Sequence, residues 1–135
     1  PYMLLIAGVN EKRRNPLPAD YHDMPIREKL YYLRSDIPAI THLDYSARVQ
    51  TVHRETNPRY WDLISAFKEK TGYSVIVNTS FNVRGEPVVC TPEDAYKCFM
   101  RTDMDYLVVG NFVFDKTQQP KWHEERDWRE EFGLD

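Results

Sequence analysis

At 135 residues, with 41% hydrophobic and 29% charged positions, the chain has the length and make-up of one soluble domain with a single core. A net charge of -3 gives no broad basic face to neutralise phosphates, which disfavours nucleic acid as a partner and leaves room only for a local anion pocket. The longest apolar run is far too short to cross a bilayer and follows no basic segment of the signal-peptide kind, so a cytoplasmic setting without membrane contact is expected.

That run, Met3 to Val9, broken only by Gly8, predicts a strand buried on both faces. The chain enters it almost directly from Pro1, without an initiating Met, as expected of a piece of something longer. Asn10 to Asp23, with Lys12, Arg13, Arg14, Pro16 and Pro18, breaks any regular period and predicts a surface loop whose basic run is a solvated face. Pro25 to Leu33 predicts a short helix, with Ile26, Leu30 and Leu33 on one stripe.

Ala39 to Leu43 and Arg48 to Val52 read as two strands around the turn residues Asp44, Tyr45 and Ser46, a hairpin in prospect. Asn57 and Pro58 form a cap and first turn for a helix striped by Tyr60, Ile64 and Phe67 and closed by Gly72. Tyr73 to Val77, rich in β-branched residues, predicts a strand leading into the polar loop 78–87. After an extended piece, Val88 to Cys90, the group Thr91, Pro92 and Asp94 is a capping box for a helix to about Arg101. Asp105 to Val109 and Asn111 to Phe114 predict strands about Gly110. The stretch 118–135 sets Glu124, Glu125, Glu130 and Glu131 among Trp122, Trp128 and Phe132, a pattern suited to an appended amphipathic helix. Cys90 and Cys98 match no zinc or disulfide framework and are expected to be reduced, structural thiols.

Strands alternating with helices indicate the α/β class, an open, mixed and twisted sheet with flanking helices in a single domain. In such sheets ligands sit outside the carboxyl ends of the strands. The loop after Val77 is therefore the first place to look. Asn78, Ser80, Asn82, Arg84 and Gly85 crowd neutral donors, a guanidinium and a glycine into one loop, which is what an anionic ligand needs. The same residues could equally satisfy the turn's own backbone, and residue chemistry leaves both readings open. His42 and Asp44 resemble a metal pair, but two side chains do not close a site, so a hydrogen bond between them is the simpler expectation and no metal site is assigned. Arg48 is either an edge charge or a phosphate ligand. No Walker, GxGxxG, GxSxG or paired-His motif occurs.

The blocks Pro1-Tyr2-Met3-Leu4, Thr41-His42-Leu43-Asp44 with Ala47-Arg48-Val49-Gln50, Asn57-Pro58-Arg59-Tyr60, Asn78-Thr79-Ser80-Phe81-Asn82 with Gly85-Glu86-Pro87, and Thr91-Pro92-Glu93-Asp94-Ala95 resemble, in order and spacing, the carbamoyltransferase family. That family includes nodulation-factor, cephalosporin and aminoglycoside O-carbamoyltransferases. The resemblance covers residues 1–116 and leaves 117–135 as an acidic, Trp-containing extension. It implies a YrdC-like C-terminal domain that makes carbamoyl-adenylate from carbamoyl phosphate and ATP, with Mg2+ accompanying the ATP. An N-terminal kinase-like domain of the same polypeptide, carrying the acceptor-site metal, then moves the carbamoyl group to a hydroxyl of a small molecule.

The family's Ser-x-Asn signature for the nucleotide and carbamoyl groups falls on Ser80 and Asn82, and its arginine from the preceding strand region on Arg48. These three are the expected catalytic residues. Asn78 and Arg84 join them as nucleotide-binding candidates by their place in the same loop. The family pattern also has a lysine and an arginine upstream of the Pro-Tyr-Met block, which would precede Pro1, so the isolated chain is expected to be inactive. Two other readings stand beside this one: a non-catalytic nucleotide- or protein-binding module of the same fold, and an RNA-binding YrdC-like protein, which the net charge disfavours. A homodimer is compatible with any of them.

Overall fold

The computed structural model describes residues 2–83, 85–124 and 127. The chain divides into two compact units, Pro1–Val77 and Asn78–Asp135. Helices and antiparallel strands mix along it, consistent with an open α/β fold, and the strands form two two-stranded sheets.

In the first unit, β1 (Leu5–Gly8) pairs antiparallel with β2 (Ser46–Val49), placing Ile6 opposite Arg48 and Gly8 opposite Ser46. The expected burial of β1 on both faces is not found: Leu5 is 73% exposed and Ile6 65%, and only the following Val9 is buried. β1 has a single strand neighbour, and neither α1 (Ile26–Tyr31) nor α2 (Pro58–Thr71) contributes a buried residue. The unit buries Val9, Tyr21 and Ala47 together with three polar residues, Arg34, Ser35 and Thr41. Arg34, 5% exposed, donates from Nε to the His42 carbonyl (3.0 Å), from Nη2 to the Thr41 carbonyl (3.1 Å) and from Nη1 to the Lys29 carbonyl. Three carbonyls thus solvate a buried guanidinium, and they tie the end of α1 to the segment before β2. Buried Ser35 and Thr41 share a hydroxyl pair at 2.7 Å.

The expected hairpin of 39–43 with 48–52 does not form. Pro38–Ile40 is a 3-10 turn, and the Thr41 hydroxyl donates back to the Ile37 carbonyl. Local bonds of this kind compete with a ladder, and β2 takes β1 as its partner. The basic run is a solvated face as expected, with Lys12 and Arg14 exposed, and it also makes local bonds. Arg13 pairs with Asp36 at 2.6 Å, and Arg14 Nε donates to the Val9 carbonyl at 2.7 Å. The helix α2 has its expected ends: Asn57 Oδ1 accepts from the Tyr60 N–H, Pro58 opens the first turn, and Gly72 closes it at φ +81°, a conformation that favours glycine. Residues 73–77 form no ladder among the described residues. Their β-branched composition favours an extended chain, but a strand also needs a partner.

The second unit has an apolar core. In α3 (Pro92–Arg101) the Thr91 hydroxyl accepts from the Asp94 N–H at 3.1 Å while the Asp94 carboxylate accepts from the Thr91 N–H at 3.0 Å, the expected capping box. The positions Ala95, Cys98 and Phe99 then recur at helical spacing and are all buried. Phe99 and Ala95 pack with Leu107 of β3 (Tyr106–Val109), which pairs antiparallel with β4 (Phe112–Asp115). Gly110, at φ +60°, takes the first central position of their two-residue turn, where a glycine is favoured. Lys116 Nζ donates to the Phe99 carbonyl and to the Thr102 carbonyl (2.9 Å), so a cation satisfies the C-terminal end of α3. Val88–Cys90 is an unladdered segment in which the Val89 N–H donates to the Phe81 carbonyl at 3.0 Å and the Cys90 N–H to the Asp94 carboxylate at 3.2 Å. Of the stretch 118–135, expected to be an appended helix, Gln118 ends the 3-10 turn Lys116–Gln118 and 119–124 is not helical; 125, 126 and 128–135 lie outside the described residues.

Candidate functional site

The loop 78–87 opens the second unit, and its side chains fall into two groups. Asn78 and Ser80 are exposed. Asn82 is half-buried and turned into the loop. Its Nδ2 donates to the Glu86 carbonyl at 2.7 Å and to the Val83 carbonyl at 3.2 Å. Both partners are carbonyls, so the carboxamide can face them only with its NH2. The Glu86 N–H closes the turn onto the Val83 carbonyl at 3.0 Å, with Gly85 at φ +85° between them. The Glu86 Oε2 in turn accepts from the Val83 N–H at 3.3 Å. Asn82 is therefore a brace of this turn, which gives physical substance to the backbone-satisfying alternative. Arg84, expected beside it, lies outside the described residues.

Behind the turn stands a charged group that the sequence reading missed. The side chain of Arg101, 4% exposed, donates from Nη1 to Glu86 Oε1 at 3.4 Å and from Nε to Glu124 Oε1 at 2.5 Å. Trp122 Nε1 also donates to Glu124 Oε1, at 2.8 Å. Burial pushes the Glu124 carboxyl upward, but the bonds from Arg101 and Trp122 outweigh it and hold the group below the usual carboxylate range. Burial, seconded by the Glu86 carboxylate, raises the Cys98 thiol above its ordinary range. Cys98 is structural as expected, whereas Cys90 is exposed. No local signal in the sequence singles out Arg101, because its carboxylate partners at 86 and 124 are brought to it by the fold.

Arg48 belongs to the first unit, exposed on β2 opposite Ile6. His42 does not bond Asp44; its Nδ1 lies 2.9 Å from the Ser46 hydroxyl. The Asp44 carboxylate accepts from the Ser46 N–H at 2.9 Å, and bonds to Ser46 hold its pKa low. This turn carries Tyr45 at φ +63°, and its short polar residues serve the backbone. Among the described residues no group of three or more His, Cys, Asp or Glu side chains is placed to hold a metal ion, and no helix is long and apolar enough to cross a membrane. The second unit also has an open groove of about 830 Å³, floored by Tyr96, Phe112, Phe114 and Trp122 and flanked by Glu93 and Lys97.

The family model described as the carbamoyltransferase C-terminus matches residues 1–116. An uncharacterized protein of Synechocystis is 59% identical over 135 residues, all of this chain and 22% of the relative. The nodulation protein NolO of Bradyrhizobium diazoefficiens is 54% identical over 78 residues, 58% of this chain and 14% of the relative. The 3'-hydroxymethylcephem-O-carbamoyltransferase of Amycolatopsis lactamdurans is 36% identical over 93 residues, 66% of this chain and 18% of the relative. The chain spans under a quarter of the length of these curated relatives. It belongs to the carbamoyltransferase family, and residues 1–116 correspond to that family's C-terminal part.

Proposed function

We propose that this chain is part of an ATP-dependent O-carbamoyltransferase and that it forms or binds carbamoyl-adenylate. The reading is carried by the family match together with the loop 78–87, which sets an exposed Ser80 beside a turn braced by Asn82 and Glu86. The chemistry balances as carbamoyl phosphate, ATP and one water giving carbamoyl-adenylate, pyrophosphate and inorganic phosphate. A carbamoyl oxygen bonds to the α-phosphorus, pyrophosphate leaves, and the water's oxygen accounts for the phosphate released from carbamoyl phosphate. The adenylate then passes its carbamoyl group to a hydroxyl of a small molecule, releasing AMP.

In this proposal Ser80 offers a hydroxyl to the phosphates and the carbamoyl group, and Arg48 of the first unit is a phosphate ligand of the same enzyme. Fixed donors of this kind stabilise charge that develops during transfer without reorganising. Asn82 holds the turn so that its backbone is already arranged when the ligand arrives, a contribution of positioning. Asn78 and Arg84 complete the nucleotide contacts from the same loop. Mg2+ would arrive with ATP, where it neutralises phosphate charge. The acceptor hydroxyl and its activation belong to an N-terminal kinase-like domain of the longer polypeptide, as the length of the relatives supports.

The experiment is to supply the intact polypeptide with ATP and to measure pyrophosphate with and without carbamoyl phosphate. Release that depends on carbamoyl phosphate is expected; release indifferent to it, or none, contradicts the proposal. The isolated 135-residue chain is expected neither to turn over nor to bind ATP tightly, and turnover at the intact protein's rate would overturn that part.

A further inference from the structure

Burying the Arg101 side chain between Glu86 and Glu124 is a costly way to hold a helix end. Replacing such a buried charge group as a whole by apolar side chains of similar volume is commonly neutral or stabilising. The group is not built for stability alone, because Glu124 Oε2 is buried with no hydrogen bond among the described residues. Its geometry is directional. The two oxygens of Glu86 do different work, Oε1 meeting Arg101 and Oε2 accepting the Val83 N–H, while the Glu86 carbonyl accepts from Asn82. The orientation of one carboxylate therefore decides the shape of the turn that follows Ser80 and Asn82. Glu124 lies beyond the residues matched by the family model, yet its 2.5 Å bond to Nε fixes the plane of the guanidinium.

We propose that Arg101 is a positioning residue for the loop 78–87: oriented by Glu124, it holds the Glu86 carboxylate and so sets the Asn82-braced turn beside Ser80, where the ligand is met. The inference rests on the reading of this loop as the adenylation site. Arg101 itself touches no substrate in it.

The test uses the intact polypeptide and two variants. Arg101→Lys keeps the charge but loses the fork that spans two carboxylates. Glu86→Gln keeps the side chain's size and changes its charge. Two quantities are followed: the KM for ATP in carbamoyl-phosphate-dependent pyrophosphate release, and proton exchange with water at the Val83 amide, read by NMR on the ligand-free protein. Arg101→Lys is expected to raise KM about tenfold with kcat within about twofold, and to speed exchange at Val83 about tenfold. Glu86→Gln should give the same amide response, and the double variant should be no worse than the worse single one.

A lowered melting temperature in Arg101→Lys with KM and the Val83 amide both unchanged would make the residue merely structural and overturn the inference. If Arg101→Lys does not fold, Glu86→Gln decides by the same two readouts. If the unsubstituted protein releases no pyrophosphate, the adenylation reading has failed. The Val83 amide then still decides whether Arg101 sets the loop, and an unchanged amide overturns it.

Discussion

In the first unit the most enclosed side chains include Arg34, Ser35 and Thr41, while Leu5, Ile6, Leu30 and Leu33 remain exposed; in the second, Phe99 and Cys98 are completely buried. The helices show the same contrast. The 14-residue α2 has an Asn57 cap, Pro58 in its first turn and Gly72 beyond its end, but buries no residue. The 10-residue α3 has a capping box and buries three. End signals decide where a helix starts and stops, whereas its worth to the fold is decided by what its stripe meets.

The largest blow to this contrast should come from Phe99→Ala, which removes the only large apolar side chain enclosed on every side among the described residues. A loss of about 3–5 kcal/mol in urea unfolding followed by a probe in the second unit is expected. Next is Arg101→Met, which leaves Glu86 and Glu124 facing each other's charge without a cation. About 3 kcal/mol should be lost, and a gain in stability would show that the buried charges only burden the unit. Thr91→Ala removes one half of the capping box and should cost about 1 kcal/mol by the same assay. On the other helix, Leu63→Ala should stay within about 0.5 kcal/mol, because Leu63 is 58% exposed.

A pH series sharpens the same comparison. Hydrogen bonds from Thr91 and from the Cys90 and Thr91 amides hold the Asp94 carboxyl below its ordinary range, and Glu124 is held down by Arg101 and Trp122. Folded values lower than unfolded ones mean that this stabilisation is fully present above the ordinary carboxylate pKa of about 4 and is lost as pH falls through the folded values. The second unit should therefore weaken in acid, and Asp94→Asn should flatten that dependence. An unchanged acid profile in Asp94→Asn would remove the capping box from the account.

Much of this was legible in the sequence where the signal is local. Asn57 with Pro58, Gly72, the Thr91 to Asp94 box and the turn at Gly110 announce themselves within a few residues, and each is where it was expected. Pairing was less legible, since an apolar run such as 3–9 does not say how many strands will flank it, nor does Val75 to Val77 say that a partner exists. The buried cations were not read at all. Arg34 and Arg101 look like ordinary surface charges, because the carbonyls and carboxylates that receive them are brought up by the fold. For the loop, the residue types suggested an anion site or a self-satisfied turn, and the structure shows Asn82 serving the turn while Ser80 remains exposed.

The most direct test of the central proposal is to replace Ser80 and Asn82 separately by Ala in the intact polypeptide and to measure carbamoyl-phosphate-dependent pyrophosphate release. Loss of one fixed donor at a site of developing charge predicts a fall of about 100-fold for Ser80→Ala. Asn82→Ala should fall as well, through the turn that it braces. Rates in both variants equal to that of the unsubstituted protein would contradict the account and take the loop 78–87 out of the chemistry.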